Sequence, residues 1–319
     1  MGYAAGSSIL DDEYNSFVNS SSDPFGYNHF AGVGALQYGL NQTHLPTVNA
    51  VGDTVRASSW NALFTGLDNI ANHTNASITA SSVSAGDTIK IRSALITDLA
   101  TLATAVAGGS TSATAIGTNA VGSSSNSATF NNVSTLTRSV TFSSNANLRA
   151  FFNAGGFIRI DPSAITGIDG DKDTVFSDLT ATAIGNLDLK SQSTTRSGSG
   201  ETLTTNGLSK GIYDMGTGFV TLIKLTSDND GYTSNTVEIS CKLNAAIASA
   251  TVIEIKMVST DAADDATFTA GNTASVPANP NEAPRMTLAL IEHHPTDAQG
   301  LASAIQVASN AEVTNTVSN

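Results

Sequence analysis

The stretch from Leu136 to Ile160, LTRSVTFSSNANLRAFFNAGGFIRI, constrains the fold of this chain more than any other. Apolar and polar residues alternate towards Phe142, which predicts a β-strand. Ser143 or Ser144 is suited to cap a helix, because a serine hydroxyl accepts a hydrogen bond from the unpaired amides of the first turn. The stretch therefore begins with a strand that leads into a short helix.

The second half of the same stretch predicts the rest of this helix, a glycine turn and a further strand. Phe151 and Phe152 lie on the apolar face of the helix. Gly155 and Gly156 supply a left-handed helix end, which a residue with a side chain resists. Residues 157–160 continue as a strand. We therefore predict a central β-α-β unit whose core contains both phenylalanines.

The segment FFNAGGFIRI resembles a motif found in virion structural proteins of tailed bacteriophages of marine bacteria, including cyanophage-like tail, neck and fibre-associated proteins. In that family the motif follows a Leu-Pro turn, here Leu45-Pro46, then a segment similar to VGDTVRASSWNAL and a helix ending near NIANH. The resemblance covers about residues 36–160. It implies a structural component of the phage particle, and it carries over no catalytic residues.

Composition agrees with an assembly protein. Only 13% of residues are charged, the net charge is −13, and small polar residues dominate, which suits β-rich, loop-rich surfaces. An acidic, lysine-poor chain is a poor partner for nucleic acid or for an anionic membrane surface, and neither is predicted as a partner. We see no signal peptide and no apolar run long enough to cross a membrane. The single cysteine, Cys241, alternates with apolar residues and is predicted to be buried.

Residues 1–50 lack periodicity but contain many aromatic residues, which an unstructured linker would lack. Two interpretations stay open. The segment is either an irregular covering of its own domain or an extended assembly arm whose aromatic side chains dock on a neighbouring subunit. The candidate assembly residues are Tyr14, Phe17, Phe25, Tyr27, Phe30 and Trp60.

Residues 51–210 are predicted to form an α+β domain. Apolar residues at helical spacing predict helices near 58–72 and 87–107, the second capped by Asp87. Gly66 in the middle of the first helix indicates close packing against another element or subunit. Residues 108–131 are predicted to be a long loop or weak edge strands.

Residues 211–319 are predicted to form an antiparallel β-sandwich domain. Alternation of apolar and polar residues marks each strand. The predicted strands are 219–226, 237–243, 253–257, 286–290 and a possible last one at 305–307. The fold class is thus mainly β with a small helical segment: an N-terminal arm, two helices, the β-α-β unit and the sandwich.

No motif predicts catalysis or a cofactor. Asp169, Asp171, Asp173 and Asp178 resemble the start of a calcium loop, but the required glycine and glutamate are missing, so we predict an acidic, solvated turn. Neighbouring His293 and His294 would point to opposite faces of a strand and could not chelate one metal ion. We therefore predict no enzyme, no metal and no cofactor.

Three hypotheses for function remain. The first is a virion structural protein of the tail, baseplate, neck or fibre that forms a symmetric homo-oligomer and contacts neighbouring virion proteins after assembly in the host cytoplasm. Within it, capsid decoration is an alternative placement. The second is a receptor-binding or carbohydrate-binding module whose partner is a host surface glycan. The third is a glycan depolymerase, which needs only two suitably placed carboxylates.

Overall fold

The computed structural model describes residues 11–22, 25–31, 40, 42–48, 55–74, 76–79, 82, 92–107, 116–165, 170–229, 231–262, 284–295 and 306–318. The chain divides into two compact units. The first is drawn from Met1–Gly117, Ala146–Gly156 and His294–Gln306, and the second from Thr118–Asn145, Phe157–His293 and Val307–Asn319.

The first unit is built from helices around an aromatic and aliphatic core. Its helices are α1 (Asp11–Asn19), α2 (Ala57–Thr74), α3 (Arg92–Ala107) and nearly all of α4 (Asn145–Asn153). The predicted helices near 58–72 and 87–107 correspond to α2 and α3, although Asp87 lies outside the described residues. The apolar faces of both helices are buried, with Leu63, Leu67, Ile70, Leu95, Leu99, Leu102 and Val106 all in one core cluster.

The close packing predicted at Gly66 is found within the first unit. A β-carbon added at Gly66 would lie 2.5 Å from the ring of Tyr27, so only glycine allows this ring to rest on the helix. Tyr27 belongs to a short 3₁₀ turn, Tyr27–His29. Gly66 therefore packs against a residue of the same chain, Tyr27.

The second unit contains two antiparallel sheets. The five-stranded sheet has the order β1-β10-β3-β4-β5, and the six-stranded sheet has the order β11-β2-β9-β8-β7-β6. The strands are β1 (Ile116–Ser125), β2 (Val133–Thr141), β3 (Phe157–Ile165), β4 (Leu187–Leu189), β5 (Thr194–Arg196), β6 (Thr202–Asn206), β7 (Val220–Thr226), β8 (Thr236–Leu243), β9 (Val252–Thr260), β10 (Arg285–Pro295) and β11 (Ser309–Ser318). Between β3 and β4 in sequence lies α5 (Gly170–Ser177), followed directly by a π-helical turn, Asp178–Ile184.

The predicted fold class, mainly β with a small helical segment, is confirmed. Strands occur where alternation predicted them from Val220 to Leu290, and β1 is the edge strand that was one alternative for residues 108–131. Of the predicted last strand at 305–307, residue 305 lies outside the described residues and residues 306 and 307 do not form a strand, because the final strand is β11, further along the chain. Both sheets combine strands from before and after residue 211, so the C-terminal strands do not close a sandwich by themselves.

The β-α-β unit has the predicted order of elements, and its glycine turn has the predicted geometry. Gly155 has a φ of 91°. Its N–H donates to the carbonyl of Phe152 at 3.1 Å, and the N–H of Gly156 donates to the carbonyl of Phe151 at 2.8 Å. These two bonds form a Schellman motif, which satisfies carbonyls that the end of α4 would leave unpaired. The two strands of the unit enter different sheets.

Replacing Gly155 with alanine should destabilise the protein by about 1–2 kcal/mol, because a side chain resists a positive φ. Urea unfolding followed by circular dichroism measures this change. The matched control is Gly216→Ala, because nothing lies within 4 Å of a β-carbon built at Gly216. Equal stability of the Gly155→Ala variant and the parent would contradict the assigned turn.

Candidate interaction surface

The predicted assembly residues are brought together, but inside the core of their own chain. Trp60 lies 5.4 Å from Tyr14 and 6.0 Å from Phe17, measured between ring centroids. Tyr27 and Phe30 belong to the same buried cluster. All five side chains are at most 5% exposed, so their apolar surface is already used within one molecule.

This burial corresponds to the first interpretation of the N-terminal segment, an irregular covering of its own domain. Tyr14 and Phe17 are presented by α1, a helix that was not predicted. Phe25 is partly buried and stacks on the ring of His29 at 3.8 Å. The expectation that these aromatics form an exposed docking arm is therefore corrected for the described part of residues 1–50. These aromatic side chains pack with Trp60 and complete the hydrophobic core of the first unit.

Tyr27 shows how tightly this core is closed. Its hydroxyl donates to the carbonyl of Thr43 at 3.0 Å and lies 3.4 Å from Oε1 of Gln42. Burial raises the pKa of Tyr27 to about 12, because the phenolate would lose its hydration.

This shift predicts a loss of stability in alkali. Between pH 10 and 12 the folded state keeps the Tyr27 proton while the unfolded state loses it, so the free energy of unfolding should fall by about 2–3 kcal/mol. Trp60 is the sole tryptophan, and its fluorescence reports unfolding of this core. Tyr27→Phe should flatten this pH dependence, whereas the half-buried control Tyr232→Phe should keep it. An unchanged slope in Tyr27→Phe would contradict the assignment.

The acidic stretch predicted as a solvated turn is helical in its described part. Asp171 and Asp173 lie in the first turn of α5, where carboxylates interact favourably with the helix dipole. Asp171 is exposed and Asp173 is buried, while Asp169 lies outside the described residues. The prediction of a turn was wrong, because Lys172, Val175 and Phe176, which lie between the aspartates, are buried in a helix that contacts β3.

Lys172 forms a fully buried ion pair, a feature that the sequence did not indicate. Its Nζ lies 2.7 Å from Oδ2 of Asp261, and both side chains are at most 1% exposed. Asp261 directly follows β9, and its N–H donates to the carbonyl of Asn132. The pair therefore joins α5 to the end of the six-stranded sheet.

Removing one member of this pair should be more damaging than removing both. Lys172→Met leaves a buried carboxylate and should lower the free energy of unfolding by about 3–5 kcal/mol. The double variant Lys172→Met/Asp261→Leu should lower the free energy of unfolding by clearly less than the single variant. Exposed Lys210→Met is the matched control for loss of a lysine. Chemical unfolding followed by circular dichroism makes the comparison, and additive losses in the double variant would contradict it.

His293 and His294 have different surroundings, as expected for neighbours on a strand. The ring of His293 stacks on Phe157 at 4.2 Å, and Nε2 of His294 lies 3.3 Å from Nε2 of Gln306. Arg159 and Lys190 also approach the Phe157 ring, at 5.7 and 5.8 Å. In the described part of the chain, no group of three or more His, Cys, Asp or Glu side chains is arranged to hold a metal ion.

The six-stranded sheet of the second unit has two exposed edges. One edge is β11, a ten-residue strand with no buried residue, and the other is β6, whose five residues are all exposed. Neither strand contains lysine, arginine or proline. Each edge also has one exposed aliphatic side chain, Val313 at 51% and Leu203 at 37%.

Sequence reasoning missed both edge strands. β6 and β11 bury neither face, and their few apolar residues do not form the sustained alternation that marks a half-buried strand. The available signal was the frequency of threonine and valine, which favour extended backbone. Both edges present backbone N–H and C=O groups that no other strand of the described chain pairs with.

Comparisons with family models, with curated proteins and with solved structures find no match to this chain. Among the described helices, none is both long enough and apolar enough to span a membrane.

Proposed function

We propose that this chain is a structural component of a tailed-phage particle that self-assembles into a symmetric homo-oligomer. The sequence resemblance over about residues 36–160 supports the phage context. The observation that carries self-assembly is the pair of exposed edges of the six-stranded sheet, β11 and β6, which contain no lysine, arginine or proline. Open edges of this kind are templates for pairing with another chain.

The chemistry of these edges favours a specific contact. Monomeric proteins commonly protect an edge with lysine, proline or a bulge. Here lysine and proline are absent from both strands, and each strand carries one bulge. A bulge shortens the stretch available for pairing without removing it. Such an edge is suited to a limited contact between particular copies, as a symmetric assembly requires.

Within the particle, we place the protein in the tail, baseplate, neck or fibre-associated region, in contact with copies of itself and with neighbouring virion proteins. Capsid decoration and host-glycan binding are the competing functions, and glycan depolymerisation is the third.

Light scattering of the purified, untagged protein over a concentration series tests the proposal. We expect a defined oligomer, because several weak contacts act together in a closed ring. A monomer at every concentration would contradict self-assembly and favour decoration or glycan binding. Peptide mass spectrometry of purified particles is the second measurement. Absence of this chain from particles of the phage that encodes it would contradict a virion role.

A further inference from the structure

β11 has an unusual environment for a strand of its length. Every residue from Ser309 to Ser318 is exposed or half-exposed, on both faces of the strand. Its neighbour β2 instead buries alternate residues, including Leu136 and Val140. Most strands of globular proteins bury at least one face. β11 is therefore held by its ladder with β2 and by a few side-chain hydrogen bonds.

Those side-chain bonds fix the position of β11 although they bury little of it. Asn310 accepts a hydrogen bond from Nη2 of Arg138 at 2.6 Å. Nδ2 of Asn315 donates to the carbonyl of Ser125 at 3.0 Å. The strand is thus an ordered edge, with its outer side accessible.

A bulge divides β11 into two parts. The pairing register with β2 shifts between Glu312 and Thr314, so Val313 is the extra residue. From Thr314 to Ser318 the register is continuous. Because a bulge interrupts the outer edge as well as the inner one, the regular surface available for pairing is the segment TNTVS.

The absence of charged side chains from this segment allows a second copy of the chain to pair with it. A second copy also carries a net charge of −13, so two copies repel each other unless they meet through uncharged surface. Residues 314–318 contain no charged side chain, whereas the first half of β11 contains Glu312. Thr314, Thr316 and Val317 are β-branched, which favours extended pairing.

We propose that residues 314–318 of two copies pair antiparallel about a two-fold axis at Thr316. Thr316 then faces Thr316 of the second copy, Asn315 faces its Val317, and Thr314 faces its Ser318. The six-stranded sheet of each copy continues into that of the other. This inference rests on the proposed function and adds to it the identity and geometry of one subunit contact.

Disulfide trapping in the full chain tests the register. Residues opposite each other in an antiparallel pair have Cα atoms about 4.5–5.5 Å apart, which suits a disulfide. Thr316→Cys should therefore form a covalent dimer under mild oxidation. In the control Thr314→Cys the two equivalent residues are about 14 Å apart, four residues at the rise of a strand, and no dimer should form. Cys241 is fully buried, and burial raises the pKa of its thiol, so it does not compete.

Mixing the two single variants Thr314→Cys and Ser318→Cys extends the test. The mixture should form the mixed dimer, whereas each variant alone should not. Equal trapping of Thr314→Cys and Thr316→Cys, or no trapping of Thr316→Cys in an oligomeric protein, would overturn the proposed register.

A charge variant separates this inference from the proposed function. Thr316→Lys places two ammonium groups opposite each other and should weaken the contact at least tenfold, measured by light scattering. Thr233→Lys, at an exposed position in the β7–β8 connection, is the matched control. If the Thr316→Lys oligomer dissociates no more than the control, the inference fails and self-assembly stands. If the unaltered protein is a monomer, both fail. Unchanged thermal unfolding of the dissociated variant confirms that it folds.

Discussion

The glycine turn at the end of α4 constrains the path by which the chain passes from the six-stranded sheet to the five-stranded sheet. Gly155 adopts a backbone conformation that few other residues tolerate, and the chain can therefore leave α4 directly into β3. α4 and this turn together connect β2, in the six-stranded sheet, to β3, in the five-stranded sheet. Each of these strands lies inside its sheet and receives partners from much later in the sequence. β2 pairs with β9 and β11, and β3 pairs with β10.

How far the sequence predicts this structure depends on the periodicity of each segment. α2, α3 and β7 to β10 have one apolar face, and alternation or helical spacing identifies them. The N-terminal helix α1 was missed although Tyr14, Phe17 and Val18 have helical spacing, because nine residues give only two turns of signal. β6 and β11 have two exposed faces and too few apolar residues for a periodicity to be detected. The tertiary pairings of β2 and β3 are non-local and could not be predicted from a local pattern.

In the candidate interaction surface, too, some features could be predicted from the sequence and others could not. Burial of the N-terminal aromatics was one of two open interpretations, because an aromatic side chain gains as much free energy in its own core as in an interface. The packing of these aromatics with Trp60 in one buried cluster decides in favour of the chain's own core. The ion pair of Lys172 with Asp261 was beyond prediction, since the two residues are far apart in sequence and each looks like a surface residue.

Arg138 connects β11, an edge strand of the six-stranded sheet, to β1 of the five-stranded sheet. It projects from β2, and its guanidinium donates to the carbonyl of Ser123 and to Oγ of Ser124 on β1, both at 2.8 Å, as well as to Asn310 on β11. It is only 6% exposed, so these hydrogen bonds replace the hydration of its two terminal nitrogens, Nη1 and Nη2. A strand with so little apolar burial is thereby held in one position. That order matters for assembly, because an edge fixed in advance loses less conformational entropy when a second chain pairs with it.

The two edges of the six-stranded sheet differ in the assemblies they permit. Pairing of β11 with β6 of another copy would be head-to-tail, and an assembly of that kind closes into a ring only at a suitable rotation and otherwise continues as a filament. β6 has five residues, and its register with β7 shifts between Leu203 and Thr205. The regular stretch of β6 is therefore shorter than residues 314–318, the regular segment of β11. Pairing of β11 with itself uses two segments of equal length and closes after two copies. Because the bulge at Val313 limits this contact to one short stretch, further symmetry in a particle must come from other surfaces of the chain.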